Sequence, residues 1–75
     1  MVRKIYWGKG GASNMGHLDG FNGFIERIRY DDGNFSYMVS TPIRTYLKVS
    51  EQYATLAEME DQAIRFLVEK GELHD

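Results

Sequence analysis

The chain of 75 residues contains no cysteine, one proline and two histidines. Without cysteine it has neither disulfides nor thiolate zinc sites, and His17 and His74 alone do not complete a closed zinc site. No apolar run approaches the roughly 20 residues that span a bilayer. The N-terminus also lacks the apolar segment of a signal peptide, so we expect a cytoplasmic protein. We also expect no metal or other cofactor.

The composition is typical of an ordered domain rather than of a disordered chain. Hydrophobic residues make up 43% of the sequence and aromatic residues 13%, which is enough apolar material to build a core. A chain of this length fits one domain, residues 1–75, and is too short for two. We expect the free energy of unfolding of such a small domain to be only a few kcal/mol.

The charges are unevenly distributed along the chain. Residues 1–48 carry a formal charge of +3 and residues 49–75 carry −5, which together give the net charge of −2. This asymmetry predicts two chemically distinct faces. Either both faces are simply solvated, or one of them docks a partner of opposite charge.

Six of the eight glycines lie within residues 8–23. This composition predicts a long glycine-rich loop that follows a short strand over residues 2–7. A structureless loop of this length is uncommon in a compact domain and is usually mobile or functional. Its first part, Gly8-Lys9-Gly10-Gly11, lacks the Walker pattern. A flexible connection and a backbone nest for an anion are the two interpretations that remain.

A β-hairpin is predicted over residues 24–41, around the turn sequence Asp-Asp-Gly-Asn of residues 31–34. A two-residue turn would collect on one face Phe24, Ile28, Tyr30, Phe35, Tyr37 and Val39. The other face would then carry Ile25, Arg27, Arg29, Ser36, Met38 and Ser40. A three-residue loop would place Ile28 opposite Ser36 and mix the two faces. The amphipathic pattern therefore favours the two-residue turn.

The second half of the chain predicts one more strand and a helix. Pro42 ends the hairpin, and alternation over residues 43–49 indicates a further strand. Thr55 and Glu58 form a capping box, so a helix is expected over residues 56–70, with Gly71 as its terminator. The sequence therefore predicts an α+β domain of the order β-β-β-β-α. Three or four antiparallel strands would form the sheet, with the C-terminal helix packed across one face.

Three ionisable residues are candidates for catalysis. Glu26 and Glu60 interrupt apolar patterns, so each needs a partner or a position at the sheet margin, and as a pair they would suit acid–base chemistry. His17 lies two residues before Asp19, but no Ser or Cys nucleophile is placed beside them. Because the pattern supplies neither a nucleophile nor a metal site, we assign no catalytic residue and interpret the chain as non-enzymatic.

A partner-binding surface is predicted on the sheet and in the glycine-rich loop. Arg, Tyr and Met are enriched in protein interfaces, and a basic sheet face would also suit nucleic acid, which is the second hypothesis. The candidate residues are Trp7, Lys9, Arg27, Arg29, Met38, Arg44, Tyr46 and Lys48. Self-association into a homodimer is a further option, and no membrane partner is expected.

The region from Phe24 to Lys70 resembles the HicB-like antitoxin module. The shared order is a strand, an Asp-Asp-Gly turn, a strand that ends before Pro42, a further strand and a Thr-x-x-Glu-capped helix. That module is a partial ribonuclease-H-like β-β-β-α unit that binds and blocks a small toxin. In size and in its lack of cysteine, the chain also resembles the small inhibitors that bacteriophages encode, anti-CRISPR proteins among them. Both resemblances imply stoichiometric inhibition or neutralisation of a bacterial host protein or ribonucleoprotein complex, in the host cytoplasm if the protein is phage-encoded.

Overall fold

A computed structural model describes residues 3–47 and 51–74 of the chain. Within these residues it contains five β-strands, one α-helix and a short 3-10 turn. The elements are β1 (Tyr6–Trp7), the 3-10 turn (Gly10–Ala12), β2 (Met15–His17), β3 (Phe24–Arg29), β4 (Phe35–Ser40), β5 (Thr45–Leu47) and α1 (Leu56–Glu69). Strands that are consecutive in the sequence are neighbours in the sheet, and all four pairings are antiparallel. The predicted α+β class, an antiparallel sheet with one C-terminal helix, is confirmed.

The glycine-rich segment over residues 8–23, predicted as a loop, contains a strand of the sheet. β2 pairs with β1 on one side and with β3 on the other. Leu18 and Phe21 of the same segment are buried in the core. Gly16 lies so close to the side chains of Ile5 and Trp7 that a Cβ there would stand 2.6 Å from Ile5 Cγ2. This close packing explains why a glycine occupies the middle position of β2.

The predicted register of the β3–β4 hairpin is wrong by one residue. β3 and β4 pair Ile25 with Val39 and Ile28 with Ser36, which is the register of the three-residue loop. As a consequence, Ile25 and Val39 both point into the core, and each is 0% exposed. A one-residue difference in register exchanges the two faces of one strand relative to the other, so the predicted division of the hairpin into faces is also wrong.

The chemistry of the turn explains the observed register. The N–H of Gly33 donates to the carbonyl oxygen of Tyr30 at 3.0 Å, and Gly33 adopts a φ of 90°. A type I turn followed by a glycine in the left-handed region is the usual three-residue hairpin loop. The side chain of Asp32 adds a second constraint, because its Oδ1 accepts from the N–H of Asn34 at 3.0 Å. The turn sequence, rather than the sorting of apolar side chains, determines the register.

The helix begins and ends close to the predicted positions. Oγ1 of Thr55 accepts a hydrogen bond from the N–H of Glu58 at 3.1 Å, which confirms Thr55 as the N-cap. The last residue of α1 is Glu69, and Gly71 follows with its N–H donating to the carbonyl oxygen of Val68 at 3.1 Å. Of the strand predicted over residues 43–49, the structure shows β5, Thr45–Leu47, and residues 43 and 44 lie in the turn before it. Residues 48–50 lie outside the described part of the chain.

The core lies between α1 and one face of the sheet. Its buried hydrophobic residues are Ile5, Leu18, Phe21, Ile25, Tyr37, Val39, Met59, Ala63, Phe66, Leu67 and Leu73. Four of them come from α1, at the spacing that one helical face provides. Among the helices in the described ranges, none has the length and apolar character that crossing a bilayer requires.

Candidate functional site

The predicted binding residues do not form one surface. Cross-strand pairing links Trp7 to Gly16, Gly16 to Ile25, Ile25 to Val39 and Val39 to Tyr46. All of these positions therefore face α1, because Ile25 and Val39 belong to the core beneath the helix. Side chains alternate along a strand, so Arg27 and Arg29 also lie on the α1 side of the sheet, whereas Met38 lies on the opposite side.

Two further predicted binding residues, Lys9 and Arg44, lie outside the sheet strands. Lys9 is exposed just before the 3-10 turn, and Arg44 is exposed in the turn between β4 and β5. Lys48 falls outside the described residues. The single basic face expected from the two-residue turn is therefore not formed, and the role of these residues in binding a partner stays a prediction.

On the α1 side of the sheet, Trp7 and Arg27 contact each other, and each also donates a hydrogen bond to another part of the molecule. The indole Nε1 of Trp7 donates to Oε2 of Glu60 at 2.7 Å, and this hydrogen bond joins β1 to α1. The guanidinium carbon of Arg27 lies 4.9 Å from the centroid of the Trp7 ring, and Nη2 of Arg27 donates to the carbonyl oxygen of Ser13 at 3.1 Å. These contacts explain how an arginine and a glutamate occupy positions beside the core.

Other cations on this molecule also lie above aromatic rings. Arg29 lies 6.0 Å from the centroid of Phe35, and Arg44 lies 6.0 Å from that of Tyr46. Tyr46 in turn packs edge to face on Phe66 of α1, with 5.0 Å between the ring centroids. Contacts of this kind restrict the side chains while leaving their positive charge unneutralised. Arg27 and Arg29 thus follow β3 on the α1 side of the sheet, whereas Arg44 lies in the turn between β4 and β5.

The helix α1 and the core lie on one face of the sheet, and the opposite face is here called the open face. Its residues, identified by alternation and cross-strand pairing, are Tyr6, Met15, His17, Phe24, Glu26, Ile28, Ser36, Met38, Ser40 and Thr45. None of its hydrophobic residues belongs to the core cluster or packs against it. β3 and β4 therefore carry apolar side chains on both sides of the sheet.

The centre of the open face is an apolar row interrupted by one carboxylate. Glu26 of β3 pairs with Met15 of β2 on one side and with Met38 of β4 on the other. Phe24 and Ile28 flank Glu26 along β3, and all five side chains are partly buried. Four apolar side chains thus surround one acid on this face, whereas Ser36, opposite Ile28, is fully buried.

Of the residues on the open face, only Met38 is predicted from the sequence to bind a partner. Met15 is not predicted, because β2 has only three residues and lies within a glycine-rich segment. Three residues show too little alternation for a strand to be recognised from the sequence. The two-residue turn places Phe24 and Ile28 on the apolar face of the predicted hairpin, so the sequence predicts them in the core. The available signal was the Asp-Asp-Gly turn itself, which suits a three-residue loop as well as a two-residue one.

The candidate catalytic residues are not brought together. Glu26 lies on the open face, whereas Glu60 lies on α1 and accepts the hydrogen bond from Trp7. The sheet separates the two carboxylates, so they do not form an acid–base pair. His17 and Asp19 are both exposed. Within residues 3–47 and 51–74, no three His, Asp or Glu side chains are close enough together to hold a metal ion.

Two tyrosines at the core boundary have perturbed acidity. Burial raises the pKa of the Tyr37 hydroxyl well above its ordinary value, and the nearby Tyr53, Glu51 and Glu69 add to the effect. Tyr37 stacks on Tyr53 with 6.2 Å between the ring centroids. Burial, together with the hydrogen bond to Glu51, also raises the pKa of Tyr53.

We expect the protein to lose stability in alkali because of Tyr37. The unfolded chain releases the tyrosine proton near its ordinary pKa of 10.0, whereas the folded chain retains it to a higher pH. The full stability is therefore present below pH 10.0 and falls above it, by at most about 1.4 kcal/mol per pH unit for one proton. Urea unfolding of Tyr37→Phe between about pH 9 and about pH 11 should show a smaller decline than the wild-type protein does. The exposed Tyr6→Phe is the control, and an equal decline in both variants would show that another group is responsible.

Comparisons with known proteins give no relative from which a function could be transferred. No family model, no curated protein and no solved structure matches this chain.

Proposed function

We propose that the chain is a non-enzymatic protein-binding module that inhibits or neutralises a bacterial protein, or a nucleoprotein complex, in a stoichiometric complex. The observation that carries this proposal is the open face, on which Met15, Phe24, Ile28 and Met38 are partly buried and not packed against the core. Apolar surface of this kind is typical of interfaces, in which aromatic residues and Met are enriched.

The open face takes up part of one side of the molecule, and that whole side is large enough for a protein interface. The molecule measures 33 × 27 × 25 Å along its principal axes, so the open face together with the loops around it offers an area comparable with the roughly 800 Å² per partner of a standard complex. A domain of this size can block a larger protein by covering one of its surfaces. The resemblance of Phe24–Lys70 to the HicB-like module, and of the whole chain to small phage-encoded inhibitors, favours this steric mode of action.

The proposal is tested by affinity capture from a bacterial lysate with two matched variants. Met38→Glu places a charge in the centre of the open face, whereas Ala57→Glu places the same charge on the exposed side of α1. We expect the wild-type protein and Ala57→Glu to retain the same protein in a one-to-one complex, and Met38→Glu to lose it while remaining folded. The purified partner should lose its activity at an equimolar ratio.

Two outcomes would contradict the proposal. One is retention of the same partner by Met38→Glu, which would place the interface elsewhere. The other is retention of nucleic acid in place of a protein, with an affinity that falls steeply as salt is added and is lost in Arg44→Glu. The second outcome would support the nucleic-acid hypothesis, which rests on Arg27, Arg29 and Arg44.

A further inference from the structure

The position of Glu26 defines the chemistry that the open face can accept. Its strand neighbours Met15 and Met38 are apolar, and Phe24 and Ile28 precede and follow it on the same face. A partner that covers this face removes water from the carboxylate. A carboxylate that loses water without gaining a cation is strongly destabilised.

Within the described residues, no lysine or arginine side chain lies at the centre of the open face. Arg27 and Arg29 of β3 point to the α1 side, and Lys4, just before β1, lies 5.4 Å from the ring centroid of Tyr6 at the outer edge. Within the described residues, Glu26 takes part in no salt bridge. Since no described lysine or arginine is placed to compensate Glu26, we assign the compensating cation to the partner. A second copy of the chain would instead bring a second Glu26 to the same region, and like charges oppose each other there.

The shape of the open face suits a helix. On the other side of the same sheet, α1 covers the core with 14 residues, a length of about 21 Å. Five strands spaced about 4.8 Å apart give a sheet about 19 Å wide, so a helix of the same length crosses all of them. Met15 and Met38 have flexible, polarisable side chains that adapt to different apolar partners.

From this combination, and on the basis of the proposed function, we infer that the open face binds an amphipathic helix of the partner protein with a Lys or Arg in its apolar stripe. The cation of that helix pairs with Glu26, and the apolar side chains around it pack on Met15, Phe24, Ile28 and Met38. The partner helix occupies the open face as α1 occupies the other, and the sheet becomes the middle layer of the complex.

The test uses two synthetic helical peptides of the same 14-residue length as α1. Both carry a leucine stripe with one central charged residue in it, which is Lys in the first peptide and Glu in the second. Binding of each labelled peptide to the full chain is followed by fluorescence anisotropy. We expect the Lys peptide to bind and the Glu peptide to bind at least about tenfold more weakly, since one charged pair contributes that much or more.

Two variants with the same change in net charge locate the interaction. Glu26→Gln should weaken binding of the Lys peptide by about tenfold or more. Glu58→Gln removes a carboxylate from the exposed side of α1, and keeps a residue type that suits the capping box, so it should leave binding unchanged. Glu26→Lys should reverse the preference in favour of the Glu peptide.

Equal weakening by Glu26→Gln and Glu58→Gln would overturn the inference, because the peptide would then respond to overall charge alone. Failure of the Lys peptide to bind would overturn it as well. Neither result touches the proposed function, which fails when Met38→Glu still retains the captured partner or when nucleic acid is captured in place of a protein. The two ideas are therefore separable by experiment.

Discussion

Ile25→Ala is expected to unfold most of the protein, whereas Ile28→Ala is expected to leave it folded. Both residues are isoleucines of β3, three positions apart and on opposite faces of the sheet. Ile25 is 0% exposed and pairs with Val39 in the core. Truncating such a side chain costs about 2–5 kcal/mol, which is comparable with the whole stability of a domain of this size, about 3–5 kcal/mol.

Ile28 lies partly buried on the open face, opposite Ser36, so its truncation leaves no sealed cavity and the loss of stability is smaller. Circular dichroism during urea unfolding measures both variants against the wild-type protein. The pair also tests the hairpin register directly, because a two-residue turn would place Ile28 in the core and Ile25 outside it. A larger loss in Ile28→Ala than in Ile25→Ala would show that the register is not the one described.

Gly16→Ala is expected to destabilise the protein by about 1–3 kcal/mol, the usual cost of forcing an extra group into a packed site. The new Cβ would lie 2.6 Å from Cγ2 of Ile5 and 2.9 Å from Cζ3 of Trp7. Trp7 is held in place by its hydrogen bond to Glu60 and by Arg27, so it has little freedom to move away. The extra methyl group therefore strains β1, β2 and the contact with α1 together.

The matched control is Gly11→Ala in the 3-10 turn. A Cβ at Gly11 meets no atom within 4 Å, and replacing a glycine without strain reduces the entropy of the unfolded chain. Urea unfolding should thus show Gly11→Ala to be as stable as the wild-type protein or slightly more so. Trp7 is the only tryptophan, so its fluorescence reports the change in Gly16→Ala. Equal stability of the two variants would contradict the close packing at Gly16.

The helix was predictable because its limits depend on local chemistry. Thr55, Glu58 and Gly71 each act within one turn of the helix, and the observed hydrogen bonds are those that their spacing predicts. The sheet class was predictable for a similar reason, since an Asp-Asp-Gly turn between apolar strands indicates an antiparallel pair. These signals do not depend on where other elements pack.

The faces of the sheet were not predictable from the same rules. Sorting side chains by polarity placed Arg27 and Arg29 away from the core, but both lie on the core side, above Trp7 and Phe35. The aromatic partner of each arginine lies on a different strand. A pattern within one strand carries no information about such a partner. The same limit applies to Glu60, which breaks the apolar arc of α1 because its partner is Trp7, 53 positions away.

The hydrogen bond between Trp7 and Glu60 also bears on the order in which the chain folds. Each strand pairs with the next one along the chain, so the sheet can assemble by successive short-range closures, each with a small entropic cost. The bond from Trp7 to Glu60 spans 53 positions and can form only after α1 has docked. The side chain of Trp7 is therefore fixed later than the strand pairing that positions β1.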